Sequence, residues 1–295
     1  MRAFHGAWPA LVTPFTTADQ VNVPVLKTLV EYLVGQRVDG LYICGSTGEG
    51  VYMLAAERKL VTETVLAQVN GRLPVIAHIG AVALRDALDL ARHAQSAGVA
   101  GVSSIIPPFY HQAQSLYGYF AALGEAVSDL PLLPYILSPS FDALALMRQL
   151  LDIPNVAGAK YTGPNMYEFR EIIALRDGGW SIFSGMDEQC VFAAMFGACG
   201  NIGSTLNFMP KVYRAIHACV KRGDLAQAQE LQLRANRVTG VMLTFGFMGA
   251  LKVAMARLGF PCGRPRLPNL PLSEEKQAAL WAELDRVEFS SLVDM

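Results

Sequence analysis

The sequence predicts an α/β protein: a closed (β/α)8 barrel with a C-terminal helical extension. Short β-prone runs bounded by turn residues alternate with longer segments whose apolar positions recur at helical spacing. Eight such units follow one another along the 295 residues. The strand runs are almost continuously apolar, so both faces of the sheet must be covered, which fits a parallel barrel of about 200 to 250 residues. An open doubly wound sheet is the alternative.

Strands are predicted at 7–12, 40–44, 75–78, 101–105, 132–136, 156–160, 180–184 and 200–203. Helices are predicted between them at 23–34, 54–69, 84–97, 115–127, 143–151, 166–175 and 187–196, and after the eighth strand at 211–221. The barrel therefore takes 1–223. The remainder, 224–295, reads as a helical extension packed on the barrel, helical over 224–259 and 273–287. Its two parts are joined by Pro261-Cys262-Gly263-Arg264-Pro265-Arg266, a Pro and Gly cluster typical of a connector.

Composition narrows the function. With 52% hydrophobic and 17% charged residues the chain is too apolar for a disordered polymer. Its 24 Lys plus Arg against 25 Asp plus Glu leave a net charge of −1 and no broad basic field, so nucleic acid is not an expected partner. The mean hydropathy of +0.30 invites a membrane reading, yet a spanning helix needs roughly 20 nearly uninterrupted apolar residues. The nearest approach, 238–253, contains Lys252 and glycines and reads as one buried helix. No signal-peptide pattern is seen at the N-terminus. The five cysteines form no CxxC pair, as expected of reduced, core-packed thiols in the cytoplasm.

In such a barrel, reactive groups project from the C-terminal ends of the strands. The second strand runs into Gly45-Ser46-Thr47-Gly48-Glu49-Gly50. Glycines there let backbone NH groups and hydroxyls turn onto an anion. No Lys-Ser or Lys-Thr follows and GxGxxG order is absent, so a small carboxylate suits the loop better than a nucleotide. An ordinary glycine-rich turn is the plain alternative. The sixth strand ends in Lys160, drawn into the barrel mouth by the apolar run before it. Burial disfavours the ammonium, and a neutral amine is a nucleophile toward carbonyls. A lysine that snorkels to solvent or pairs with a carboxylate would do neither. The fifth strand delivers Tyr135, either a proton shuttle or an amphipathic core residue.

Together, the glycine loop, Tyr135 and Lys160 in Gly158-Ala159-Lys160 resemble the dihydrodipicolinate synthase and N-acetylneuraminate lyase superfamily. The likeness runs from Pro14-Phe15 to Gly263-Arg264-Pro265-Arg266. It implies that Lys160 forms a Schiff base with a 2-keto acid, that Tyr135 moves the proton of the C4 hydroxyl, and that no metal or organic cofactor is needed. Consistently, there is no HExxH, and the five histidines are dispersed.

Ser46 and Thr47 would hold the substrate carboxylate. The resemblance further implies a homotetramer built from tight dimers, in which Tyr110 crosses a subunit interface to join Tyr135 and Ser46 in a proton relay.

Three stretches, Lys160-Tyr161-Thr162, Gly185-Met186-Asp187-Glu188 and Gly203-Ser204-Thr205, are similar to the N-acetylneuraminate lyase branch, with Met186 where that branch carries an aromatic. Thr162, Gly185, Asp187, Glu188 and Ser204 would then ring the mouth and bind a polyol tail. Asp187 and Glu188 could instead cap the next helix. The synthase branch carries an arginine soon after the tyrosine. Here none occurs before Arg148, which disfavours dihydrodipicolinate synthesis. The expected reaction is cleavage of N-acetylneuraminate to pyruvate and N-acetylmannosamine. Tyr135-Ile136-Leu137-Ser138-Pro139 departs from the lyase pattern, which leaves open an aldolase or dehydratase acting on another 2-keto-3-deoxy sugar acid. A barrel that only binds a sugar acid is the non-enzymatic alternative.

Overall fold

The computed structural model describes residues 4–108, 112–137, 140–177 and 179–295. The chain first lays down β1 (Gly6–Pro9), α1 (Val23–Gly35), β2 (Leu41–Ile43), α2 (Ala55–Val69), β3 (Val75–His78), α3 (Leu84–Ala97), β4 (Gly101–Ile105) and α4 (Ala113–Ala126). The second half follows with β5 (Leu132–Leu137), α5 (Ala143–Leu150), β6 (Gly158–Thr162), α6 (Met166–Ala174), β7 (Ser181–Ser184), α7 (Cys190–Met195), β8 (Gly200–Gly203) and α8 (Pro210–Lys221). Four more helices complete it: α9 (Leu225–Phe245), α10 (Phe247–Arg257), α11 (Glu274–Arg286) and α12 (Phe289–Val293).

The eight strands pair in parallel in the order β1-β8-β7-β6-β5-β4-β3-β2. The Ala10–Tyr42 bridge, with Leu11 N donating to Tyr42 O at 2.8 Å, brings the two ends together. This is the (β/α)8, or TIM, barrel; the open sheet is set aside. Trp8, Tyr42, Ile76, Leu133, Phe183 and Ile202 fill its interior. The larger core lies between strands and helices.

Local sequence explains several helix starts. Asn22, Asp142, Asn165, Asp224 and Ser273 each accept a backbone NH from the first turn of α1, α5, α6, α9 and α11, satisfying one of the four donors that a helix start leaves unpaired.

Three expectations need correction. The sixth strand is 158–162 and not 156–160, because the register with β5 runs on to Leu137–Thr162 and Val156 makes only an isolated bridge to Leu132. The seventh helix begins as a single 3-10 turn, Asp187–Gln189, before α7. The apolar stretch 238–253 is not one helix. Gly246 takes φ +92° and breaks it into α9 and α10, bent by 117°, a conformation open to glycine at no steric cost. Among the described residues no single helix is long and apolar enough to cross a membrane. All five cysteines are unbridged, and only Cys199 is not fully buried.

Candidate active site

Lys160 sits in the middle of β6 with its side chain turned into the barrel, and is 4% exposed. Its register neighbours are Tyr135 on β5 and Phe183 on β7. The amine rests on two ring faces, 4.2 Å from the Tyr135 centroid and 4.7 Å from that of Tyr42. Among the described residues no carboxylate lies within ion-pair distance of it. The lysine therefore neither reaches solvent nor is neutralised by a partner, and its nitrogen is held by packing where a carbonyl carbon can be presented to it.

The Gly45–Gly50 loop closes one side of this space. The Ser46 hydroxyl is exposed to the mouth and donates to Tyr135 Oη at 3.5 Å. Thr47 is buried, with Oγ1 2.6 Å from Ser204 Oγ on the far side of the β1–β2 junction. Two non-glycine residues in the left-handed region bracket the loop, Cys44 and Glu49, both at φ +57°. Such residues persist where their surroundings hold them. Around Cys44 the hold comes from His78 and Arg58. His78 bonds the Cys44 carbonyl and accepts from Ile105 N at 3.0 Å, while Arg58 donates to the carbonyls of His78 and Gly80. Burial, then the charges of Arg58 and Lys160, push His78 well below its ordinary value, so it is a neutral linker.

On the other side stand Thr162, Gly185 and Asp187. Gly185 N donates to Tyr161 O at 2.7 Å. A Cβ there would overlap Thr162 Oγ1 and lie 2.9 Å from Lys160 Cε, so the close approach demands glycine. Thr162 Oγ1 and Asp187 Oδ1 are buried without a partner. Asp187 Oδ2 accepts from Thr205 N at 2.9 Å and Thr205 Oγ1 at 2.7 Å. Burial pushes its pKa up to about 6, opposed by the two Thr205 bonds. Neither Asp187 nor Glu188 caps the helix that follows: Asp187 reaches back to Thr205, and no side chain caps this turn. Glu188 stays half-exposed at the rim.

The structure thus gathers Lys160, Tyr135, Ser46, Thr47, Ser204, Thr162, Gly185, Asp187 and Glu188 at one end of the barrel. Tyr110 lies outside the described residues. Residues not singled out by the sequence also belong here: Tyr42 under the amine, His78 and Arg58 behind the loop, and Thr205 behind Asp187. Tyr42 was legible only as one aromatic in an apolar strand, because which strand faces point inward depends on the closed barrel. Burial and the Ser103 hydrogen bond act on its phenol in opposite senses, and burial dominates, raising it well above its ordinary value. Among the described residues no group of three or more His, Cys, Asp or Glu side chains could hold a metal ion.

Arg148 stands exposed in the last turn of α5. A barrel helix runs antiparallel to the strand it follows, so this turn lies at the face opposite Lys160.

Known proteins resemble this chain in sequence and fold over nearly its whole length. An N-acetylneuraminate lyase of Rhizobium meliloti is 35% identical over 281 residues, covering 94% of this chain and 93% of its own. The solved N-acetylneuraminate lyase of Proteus mirabilis superposes with a TM-score of 0.93 at 30% identity, covering 98% of this chain and 100% of the other. A catalytic-lysine mutant of the Ruminococcus gnavus sialic acid aldolase superposes equally well, TM-score 0.93, at 25% identity and 99% coverage of both chains. The family model of the dihydrodipicolinate synthetase family matches residues 3–287, and with that span of sequence and fold in common this chain belongs to that family.

Proposed function

We propose that the chain is a Schiff-base-forming lyase that cleaves a 2-keto-3-deoxy sugar acid, N-acetylneuraminate foremost, into pyruvate and N-acetylmannosamine. The observation that carries the reading is the Lys160 amine, enclosed by the barrel, free of any carboxylate among the described residues and stacked on Tyr135 and Tyr42. Relatives named N-acetylneuraminate lyase at 30–35% identity support the substrate.

Ser46, Thr47 and the loop NH groups hold the substrate carboxylate and align its keto carbon with Lys160. The Lys160 amine adds to that carbon, and loss of water leaves a protonated imine. The C3–C4 bonding pair then flows into the imine to give an enamine, while the C4 hydroxyl proton leaves through the Tyr135–Ser46 hydroxyl pair. The aldehyde departs. Protonation at C3 and addition of water release pyruvate and restore the amine, so every atom is accounted for without a cofactor.

Thr162, Asp187, Glu188 and Ser204 serve the polyol tail, and the two orphaned oxygens of Thr162 and Asp187 are the acceptors it would meet first. Leu137, 40% exposed and in register with Thr162, favours a second reading, another sugar acid with a less polar group at this rim. Residues 1–223 carry this chemistry, 224–295 pack on them, and the chain works as a cytoplasmic homotetramer in which Tyr110 completes a neighbour's relay. The unbridged thiols support a reducing compartment.

Borohydride reduction in the presence of pyruvate tests the enzyme against a mere binder. A covalent mass increase on Lys160, lost in Lys160→Ala, is expected; an unmodified wild type would overturn the reading. Comparing kcat/KM for N-acetylneuraminate, 2-keto-3-deoxygluconate, and pyruvate with aspartate semialdehyde decides the substrate. Preference for the last pair would reassign the branch.

A further inference from the structure

Both halves of the site are gripped from behind by the C-terminal helices. On α9, Gln232 is 5% exposed; its Nε2 donates to Asp187 O at 3.0 Å and to Asn236 Oδ1 at 2.8 Å, and its Oε1 accepts from Val191 N at 2.8 Å. One turn later Asn236 Nδ2 donates to Glu188 O at 3.1 Å. Two amide side chains therefore hold three backbone groups of the turn that displays Asp187 and Glu188.

On α10, Lys252 is fully enclosed and lies 2.7 Å from Glu49 Oε1. It also donates to Thr13 O and Arg264 O, each at 3.2 Å, so two backbone carbonyls and one carboxylate surround the ammonium. Glu49 Oε2 accepts from Arg266 N at 2.6 Å. Thr13 in turn donates its hydroxyl to Gly48 O at 2.7 Å. The left-handed Glu49 and the peptide before it are thus fixed by contacts outside the loop, and Glu49 N and Gly50 N in turn close the loop by donating to Ser46 O and Gly45 O, each at 3.0 Å. A buried charge left without its partner is strongly unfavourable, so the pair admits few alternative positions for the loop.

We propose that α9 and α10 are positioning elements with separate tasks: Lys252, through Glu49, sets the loop that binds the keto-acid carboxylate, and Gln232, with Asn236, sets the turn that meets the rest of the substrate. The proposal rests on the lyase reading above and adds residues that do not touch substrate. The two clamps share no residue, so their effects should separate.

The test uses the full-length enzyme and the variants Lys252→Met, Lys252→Arg and Gln232→Met, each checked for folding by circular dichroism. Two quantities are read: the pyruvate concentration giving half-maximal borohydride-trapped adduct, and kcat and KM for N-acetylneuraminate and 2-keto-3-deoxygluconate. Lys252→Met should raise the pyruvate half-saturation about tenfold or more and raise both KM values alike, keeping the ratio of the two kcat/KM values, because it loosens the end common to both substrates. Lys252→Arg, which keeps the charge, should recover most of the loss. Gln232→Met should leave the pyruvate half-saturation within about twofold and shift the kcat/KM ratio about fivefold or more, because it loosens only the discriminating end.

A folded Lys252→Met with unmoved pyruvate half-saturation, or parallel losses in every quantity for both variants, would overturn the proposal. If Lys252→Met does not fold, the E49Q/K252M pair, which removes both charges together, is read by the same criteria; a pair that also fails to fold assigns these residues to folding alone and overturns it too. A wild type that traps no pyruvate brings down the lyase reading itself. A wild type that traps it, beside variants that behave as wild type, brings down only the clamps.

Discussion

Two side chains beside Lys160 carry distinct, measurable burdens. Tyr135 faces the amine with its ring and Ser46 with its hydroxyl, so Tyr135→Phe keeps the packing and deletes the proton path. Its kcat for sugar-acid cleavage should fall by about 10²–10³, the worth of a positioned acid–base group, while the pyruvate adduct still forms; loss of the adduct as well would show that the phenol is needed to form the imine and not for cleavage alone. Asp187 is held in a buried setting that raises its pKa from 3.8 to about 6. The folded chain then binds more protons than the unfolded one between those two pH values, so this residue costs stability as pH rises through the window and is neutral below it. Relative to wild type, Asp187→Asn should therefore gain unfolding free energy by about 3 kcal/mol between pH 3.5 and pH 7. A difference that stays flat across that range in urea titrations would mean the carboxyl titrates normally.

At the scale of elements, the strand ends matter more than the strands. β7 runs into Gly185 and β8 ends in Gly203, and a Cβ at either would invade Thr162 or Asp187. The sequence reading put Gly185 among the residues that bind the polyol and Gly203 at the end of the eighth strand, whereas their absent side chains let Thr162, Asp187 and the lysine stem share one space. Gly185→Ala should displace Lys160 and lower the rate of pyruvate trapping by about 100-fold, as misplacement by an ångström commonly does, with little change in the far-ultraviolet dichroism of the barrel. Wild-type trapping by this variant would show that the stem yields at no cost. The helices, by contrast, were legible almost throughout, since their caps and apolar stripes are written within a few residues. The exceptions were the 3-10 start of the seventh helix, the short α12, and the break at Gly246, where an apolar stretch continued through a change of direction. Periodicity records which residues are buried, and both arms of the bend are.

For the whole molecule, the barrel supplies a lysine and two aromatic faces, and the C-terminal helices hold the loops around them. The relay proposed for Tyr110 needs a neighbouring copy, so sedimentation should give an assembly of about four chains of 32.0 kDa. Mixing inactive Lys160→Ala with inactive Tyr110→Phe subunits should restore part of the activity through hybrid interfaces. A monomer at working concentration, or no complementation, would place the whole site within one chain.

Sequence alone determined the eight-fold alternation, the apolar run that buries Lys160 and the glycine loop that follows β2, because each depends on residues within one element. It also exposed Lys252 as a charge in an apolar stretch, though not its purpose. Tertiary structure decided the rest: that Lys160 has no carboxylate partner among the described residues, that Tyr42 lies beneath its amine, that Asp187 turns to Thr205 instead of capping a helix, and that Lys252 answers Glu49 from the far end of the chain. Those facts are distances between side chains on different elements, and they come into being only when the barrel closes and the last helices pack against its rim.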